Sequence, residues 1–191
     1  MKRISVLFIS GLMVVVTSCG PSREKSIDQI NMMENQLFSP EAVSFNKKKA
    51  DSLMAMYDSF IKDHPKDSLV PGYLFKAANI AMNSDDAPRA IGYFDHYIEH
   101  FPDQPKAPMC MFFKAFVYEN QMKNIDKARE IYLQFIEKYP AHDFASQAKL
   151  AVMNLGKTPE MLVSEFEEKQ KADSARVADS LSQAKKTRKR K

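Results

Sequence analysis

The sequence contains no tryptophan, five glycines and two cysteines. Glycine supplies the left-handed residues of tight hairpin turns, so this scarcity argues against sandwiches and barrels built from many short strands. No glycine stands in a G-x-G-x-x-G or G-x-x-x-x-G-K arrangement, and no G-x-S-x-G occurs, so neither a phosphate cradle nor a nucleophile elbow is present. No cofactor is expected. Long apolar runs are equally scarce. The one candidate, from Ile4 to Val16, is interrupted by Ser5, Ser10 and Gly11, and it is shorter than the roughly 20 residues that a spanning helix needs.

What is present is bulk. Thirteen Phe, seven Tyr and twelve Met in 191 residues, with 45% apolar residues overall, favour one core of stacked helices. The formal charge of +4 misleads, because six cations fall in residues 185–191; setting these and Lys2 and Arg3 aside leaves about −4 on residues 19–184. The body therefore has no general nucleic-acid character, and no nucleic-acid partner is expected.

Residues 1–19, MKRISVLFISGLMVVVTSC, have a positive start, an apolar stretch and small residues before Cys19, the pattern of an export signal. Val16-Thr17-Ser18-Cys19 resembles the lipobox of bacterial lipoproteins, in which diacylglycerol is attached to the cysteine thiol before cleavage. That resemblance implies a signal peptide over residues 1–18, acylation of Cys19 and a polar tether over residues 19–25. Gly20, where an Asp would retain such a lipoprotein at the inner membrane, implies sorting to the outer membrane, and the lack of an acidic run after Cys19, expected of surface-export signals, implies its periplasmic face. With Cys19 acylated, Cys110 is left as a small core residue and no structural disulfide is expected.

Three segments align: YDSFIKDHP over residues 57–65, FDHYIEHFP over 94–102 and YLQFIEKYP over 132–140. Leu53, Ala90 and Ala128 each lie four residues before the first aromatic, and the closing prolines are 37 and then 38 residues apart. One helix face carries the apolar positions, and the proline ends the helix. Upstream of two copies lie partner helices, over residues 73–82 and 111–120, with Ala78 and Ala115 at the crossing point.

This pattern resembles the tetratricopeptide repeat over roughly residues 46–155, with Leu53, Tyr57 and Pro65 as a degenerate first copy. The fold class expected is all-α: a tetratricopeptide-like solenoid of helical hairpins over residues 26–157, a long C-terminal capping helix over residues 158–184, and a basic disordered tail over residues 185–191. Helices are expected over residues 26–37, 46–63, 71–83, 86–100, 106–121, 125–138 and 143–155, with Gly156 as a left-handed cap.

The resemblance implies a concave surface that docks protein segments, lined in this register by Phe75, Asn79, Met82, Phe112, Phe116 and Glu119; Phe75 and Phe112 read equally well as core between repeats. The role expected is a non-catalytic envelope scaffold, anchored by lipid on Cys19 and holding a protein partner, similar in architecture to the repeat-bearing lipoproteins of outer-membrane barrel assembly and the Tol-Pal repeat protein. The basic tail suits an anionic polymer or lipid. The competing chemistry is His96-Tyr97-Ile98-Glu99-His100, an H-x-x-E-H stretch that could serve a zinc-dependent hydrolase. The other repeats carry Ser59, Lys62, Asp63 and Gln134, Glu137, Lys138 there, which marks a solvent-facing stripe, and no metal site is expected.

Overall fold

The computed structural model describes residues 22–39 and 45–188. Cys19 and the signal segment lie outside the described residues. Within them the chain is all helix: α1 Arg23–Phe38, α2 Lys47–Asp63, α3 Val70–Asn83, α4 Ala87–His100, α5 Ala107–Asn120, α6 Ile125–Lys138, α7 Ala145–Asn154 and α8 Pro159–Arg188. Successive helices from α1 to α7 pack on one another, which makes a tetratricopeptide-like solenoid of hairpins.

The repetition extends to the hydrogen bonds of the links. The N–H groups of His64, Phe101 and Tyr139 donate to the carbonyls of Phe60, Tyr97 and Phe135, each at 2.8 Å, closing α2, α4 and α6. The N–H groups of Asp67, Gln104 and His142 then donate to His64, Phe101 and Tyr139. Those of Val70, Ala107 and Ala145 donate to Asp67, Gln104 and His142, so α3, α5 and α7 start in the same way. Three copies of one turn therefore join α2 to α3, α4 to α5 and α6 to α7. The hairpin openings repeat too: Asn46, Asp86 and Asn124 cap α2, α4 and α6 by accepting from the N–H three residues on.

Spacing decides which faces are buried. In α6, Ala128, Ile131, Tyr132 and Phe135 fall on one stripe and are all buried. Alanines at the crossings, among them Ala77, Ala78 and Ala90, are fully buried and let backbones approach closely. The core forms two clusters. One joins α1 to α5, and the other joins α5, α6 and α7. Helix α5 serves both, with Cys110 and Val117 facing the first and Ala115 facing the second, which is why its sequence is apolar on nearly every side. Cys110 is free and fully buried, and burial pushes its thiol pKa up to about 12, so it behaves as packing.

Gly156, at φ 82°, ends the repeat body as the left-handed cap expected of it; any other side chain would be strained there. Beyond it two expectations need correction. Helix α8 does not cap the solenoid: Met161, Leu162, Val163 and Phe166 are exposed, as is every described side chain of the helix. No residue larger than alanine with an apolar side chain occurs between Phe166 and Val177, so the stripe is too short to repay docking. The helix also runs on to Arg188, into the segment expected to be disordered. Lysine and arginine are good helix formers and are favoured at a helix C-terminus.

Candidate functional site

The outward face of α3 carries Phe75, Lys76, Asn79 and Asn83, while Tyr73, Leu74, Ala77, Ala78 and Ala81 turn inward. Against that outward face lies a cavity of about 410 Å³. Phe38 from the end of α1 and Phe45 just before α2 form its apolar wall, and Lys106 reaches in from the link before α5. Phe75 is half-buried, with its ring edge-on to Tyr97 at 6.5 Å. Asn79 donates from Nδ2 to the Phe75 carbonyl at 2.7 Å, which fixes the amide along the floor of the groove.

Charge is unevenly shared at this site. Lys76 Nζ lies 2.7 and 2.8 Å from the two oxygens of Glu34, and Tyr57 donates its hydroxyl to the same carboxylate at 2.7 Å. Burial and then that hydrogen bond push the Tyr57 pKa far up, so the phenol stays neutral. Among the described residues Lys106 has no such partner; its Nζ sits over the Phe75 ring, 4.3 Å from the centroid.

The register explains why the groove opens here. Leu69, Lys106 and Phe144 occupy the same place, the cap before α3, α5 and α7. Phe75 and Phe112 are likewise equivalent. Phe144 packs on Phe112 with ring centroids 4.8 Å apart, and Tyr132, Phe135 and Phe113 close in at 5.4, 5.8 and 5.9 Å. Where Phe112 receives an aromatic cover, Phe75 receives a lysine. Both rings are half-buried, but Phe112 lies among aromatic neighbours whereas Phe75 has a lysine over it and lines the cavity.

Of the six residues expected to line one groove, Phe75 and Asn79 share this cavity. Phe116 is exposed on α5, without a place in the cavity. Met82 packs on the first core cluster, and its carbonyl accepts from Gln121 Nε2 at 2.7 Å. Glu119 accepts the Tyr132 hydroxyl at 3.0 Å, the counterpart of the Tyr57–Glu34 bond in the first repeat. Phe38, Phe45 and Lys106 were not anticipated. The available signal was two phenylalanines lying outside the repeat register on either side of a loop, where the core does not need them.

His96 and His100 stand one turn apart with ring centroids at 4.5 Å, and a ring nitrogen of His100 is 3.1 Å from the His96 carbonyl. Burial, then the neighbouring His100, lowers the His96 pKa. Among the described residues no group of three or more His, Cys, Asp or Glu is placed to hold a metal ion, whereas a catalytic zinc takes three protein ligands.

The tetratricopeptide repeat family matches residues 111–142, which run from within α5 through α6 and into the turn after it. The identical turn bonds at Pro65 and Pro102 extend that unit to the two hairpins before it. Among curated proteins, none matches the chain. Repeats of this type are typically non-catalytic protein-interaction folds, and a protein partner is the coarse reading that the match supports.

Proposed function

We propose that this chain is a non-catalytic scaffold of the cell envelope, held at the periplasmic face of the outer membrane by lipid on Cys19, that docks protein segments against the open face of α3. The observation that carries the reading is the cavity walled by Phe38, Phe45 and Phe75, of which Phe38 and Phe45 are exposed and Phe75 is half-buried beneath Lys106. Exposed aromatics in a concave site are the usual anchors of a binding surface.

The anchor rests on residues 1–19. Among the described residues no helix is long and apolar enough to cross a membrane. Helix α1 begins at Arg23, four residues after Cys19, so a lipid there would hold the solenoid within about 15 Å of the membrane. Arg23 also binds Asp67 in the link between α2 and α3, which ties the anchored end to the body. The six cations of residues 185–191 add attraction for anionic headgroups or polymer.

Envelope fractionation of Cys19→Ala tests the anchor: the variant is expected in the soluble fraction, and retention in the membrane fraction rejects lipid attachment. A photo-crosslinker at Phe75 tests the scaffold. Protein adducts formed there and missing from an equivalent probe at Leu133, on the exposed side of α6, are expected; equal capture at both positions rejects a groove.

A further inference from the structure

Helix α7 and the start of α8 carry the register of a further repeat hairpin that does not close. Counted from the caps before α3, α5 and α7, Phe75, Phe112 and Leu150 are equivalent, and so are Ala78, Ala115 and Met153. Thr158 caps α8 as Asp86 and Asn124 cap α4 and α6, its Oγ1 accepting the Met161 N–H at 3.3 Å. Counted from those caps, Leu162 stands where Ala90 and Ala128 stand, and Phe166 where Phe94 and Tyr132 stand. The start of α8 therefore matches the closing helix of a hairpin, with α7 as its opening helix.

Both alanines of the crossing are replaced, one by Met153 and the other by Leu162. The link over residues 155–158 is four residues long, as is the link from α5 to α6, so it would bring these two bulky side chains face to face. They keep the backbones from the close approach of the earlier hairpins. Apolar surface is left on both elements: Leu150 and Met153 of α7 are 57 and 67% exposed, and Phe166 of α8 is 62% exposed beside Leu162 and Val163.

We infer that a second copy of this chain completes the hairpin, the start of α8 from each copy packing on α7 of the other in a reciprocal, two-fold exchange. The surfaces match in charge as well as in register. Helix α7 has one charged residue, the exposed Lys149, whereas the first ten residues of α8 hold Glu160, Glu165, Glu167 and Glu168 and no base. Pairing α7 with α7, or these stretches of α8 with each other, sets like charges together; pairing α8 with α7 sets opposite ones.

An arm from another copy is free of the four-residue link, so it can cross α7 at the spacing that Met153 and Leu162 require. One arm alone is too short to repay its own ordering, but the exchange buries two arms in a single association. Helix α7 and the first ten residues of α8 offer about twenty residues a side, the number that an interface of about 800 Å² per partner uses. At high dilution the copies separate, and Phe166 then contributes nothing to the fold of the single chain.

The test joins two differently tagged copies of the full chain, produced together and extracted in mild detergent, one with Leu150→Cys and the other with Phe166→Cys. Cys110 is buried and does not compete. Mild oxidation is expected to link the two tags, because the equivalent rings of Phe112 and Tyr132 lie 5.4 Å apart. In sedimentation velocity the unaltered chain should pair in a concentration-dependent way. Leu150→Asp or Phe166→Asp, both at exposed positions, should raise the dissociation constant by about tenfold or more with unchanged circular dichroism. Lys149→Glu should weaken pairing by a smaller factor, and adding Glu167→Lys and Glu168→Lys should restore it. A chain that sediments as a monomer at every concentration overturns the exchange, as does a pair that none of these substitutions weakens. Efficient linking at high dilution within one chain that carries both cysteines shows α8 folded back on its own α7 and also overturns it. A link from Phe166→Cys to a different protein in place of the tagged copy does the same.

Discussion

Helices α6 and α8 both mix acids and bases along their length, and both form. Their fates diverge. In α6, Ala128, Ile131, Tyr132 and Phe135 recur at helical spacing and are buried against α5 and α7. In α8 the apolar residues are bunched at 161–163 and 166, then give way to a polar run, and every described side chain is exposed. Helix formation needs only local propensity. Docking needs an apolar stripe that recurs often enough to offset the ordering of side chains on both partners.

The sharpest way to break this comparison is truncation of one aromatic in each region. Phe94→Ala, at a fully buried position in α4, should cost about 3–5 kcal/mol, measured by urea unfolding. Phe166→Ala in α8 should stay within about 0.5 kcal/mol. Similar losses at both sites would mean that α8 is docked after all.

Tyrosine ionisation in alkali should act on the body alone, since all seven tyrosines lie before α8. Burial raises the pKa values of Tyr57, Tyr73, Tyr97 and Tyr132 above the ordinary 10.0, and that of Tyr93 to about 12. The folded state therefore holds these protons more tightly than the unfolded one. Stability should be flat below pH 10 and fall as pH rises beyond it, while the helical signal of an isolated α8 peptide should not follow that profile. Unfolding that begins well below pH 10 would contradict the sign.

A smaller effect separates the first and third hairpins. Tyr132→Phe should cost about 1–2 kcal/mol in thermal or chemical unfolding, because Glu119 loses the hydroxyl that it accepts. Tyr57→Phe should cost less, since Glu34 keeps Lys76. Phe94 at the matching position of the second hairpin shows that the ring fits without its hydroxyl. The smallest effect expected is deletion of residues 164–191. It removes an exposed helix and the Lys157–Glu165 ion pair, and the unfolding midpoint should shift by no more than about 0.5 kcal/mol allows.

Much of the fold was legible. The three aromatic segments, their closing prolines and the alanines at the crossings predict the hairpins, and the observed helix bounds differ from those expected by at most three residues within the repeat body. The site was legible in part. Phe75 and Asn79 follow from the repeat register, but the same register puts Phe112 in an equivalent place, and nothing in the periodicity says that one lines a cavity and the other packs among aromatics.

The amino-acid sequence by itself determined the helical hairpins and their order, because apolar spacing, caps and terminating prolines are local instructions read within a few residues. It also carries the case for Cys19, which is a matter of chain order alone. Tertiary structure decided where the solenoid is left open and that α8 stands free. Both depend on what arrives from another helix: Phe144 covers Phe112, Lys106 sits over Phe75, and no apolar surface meets Phe166.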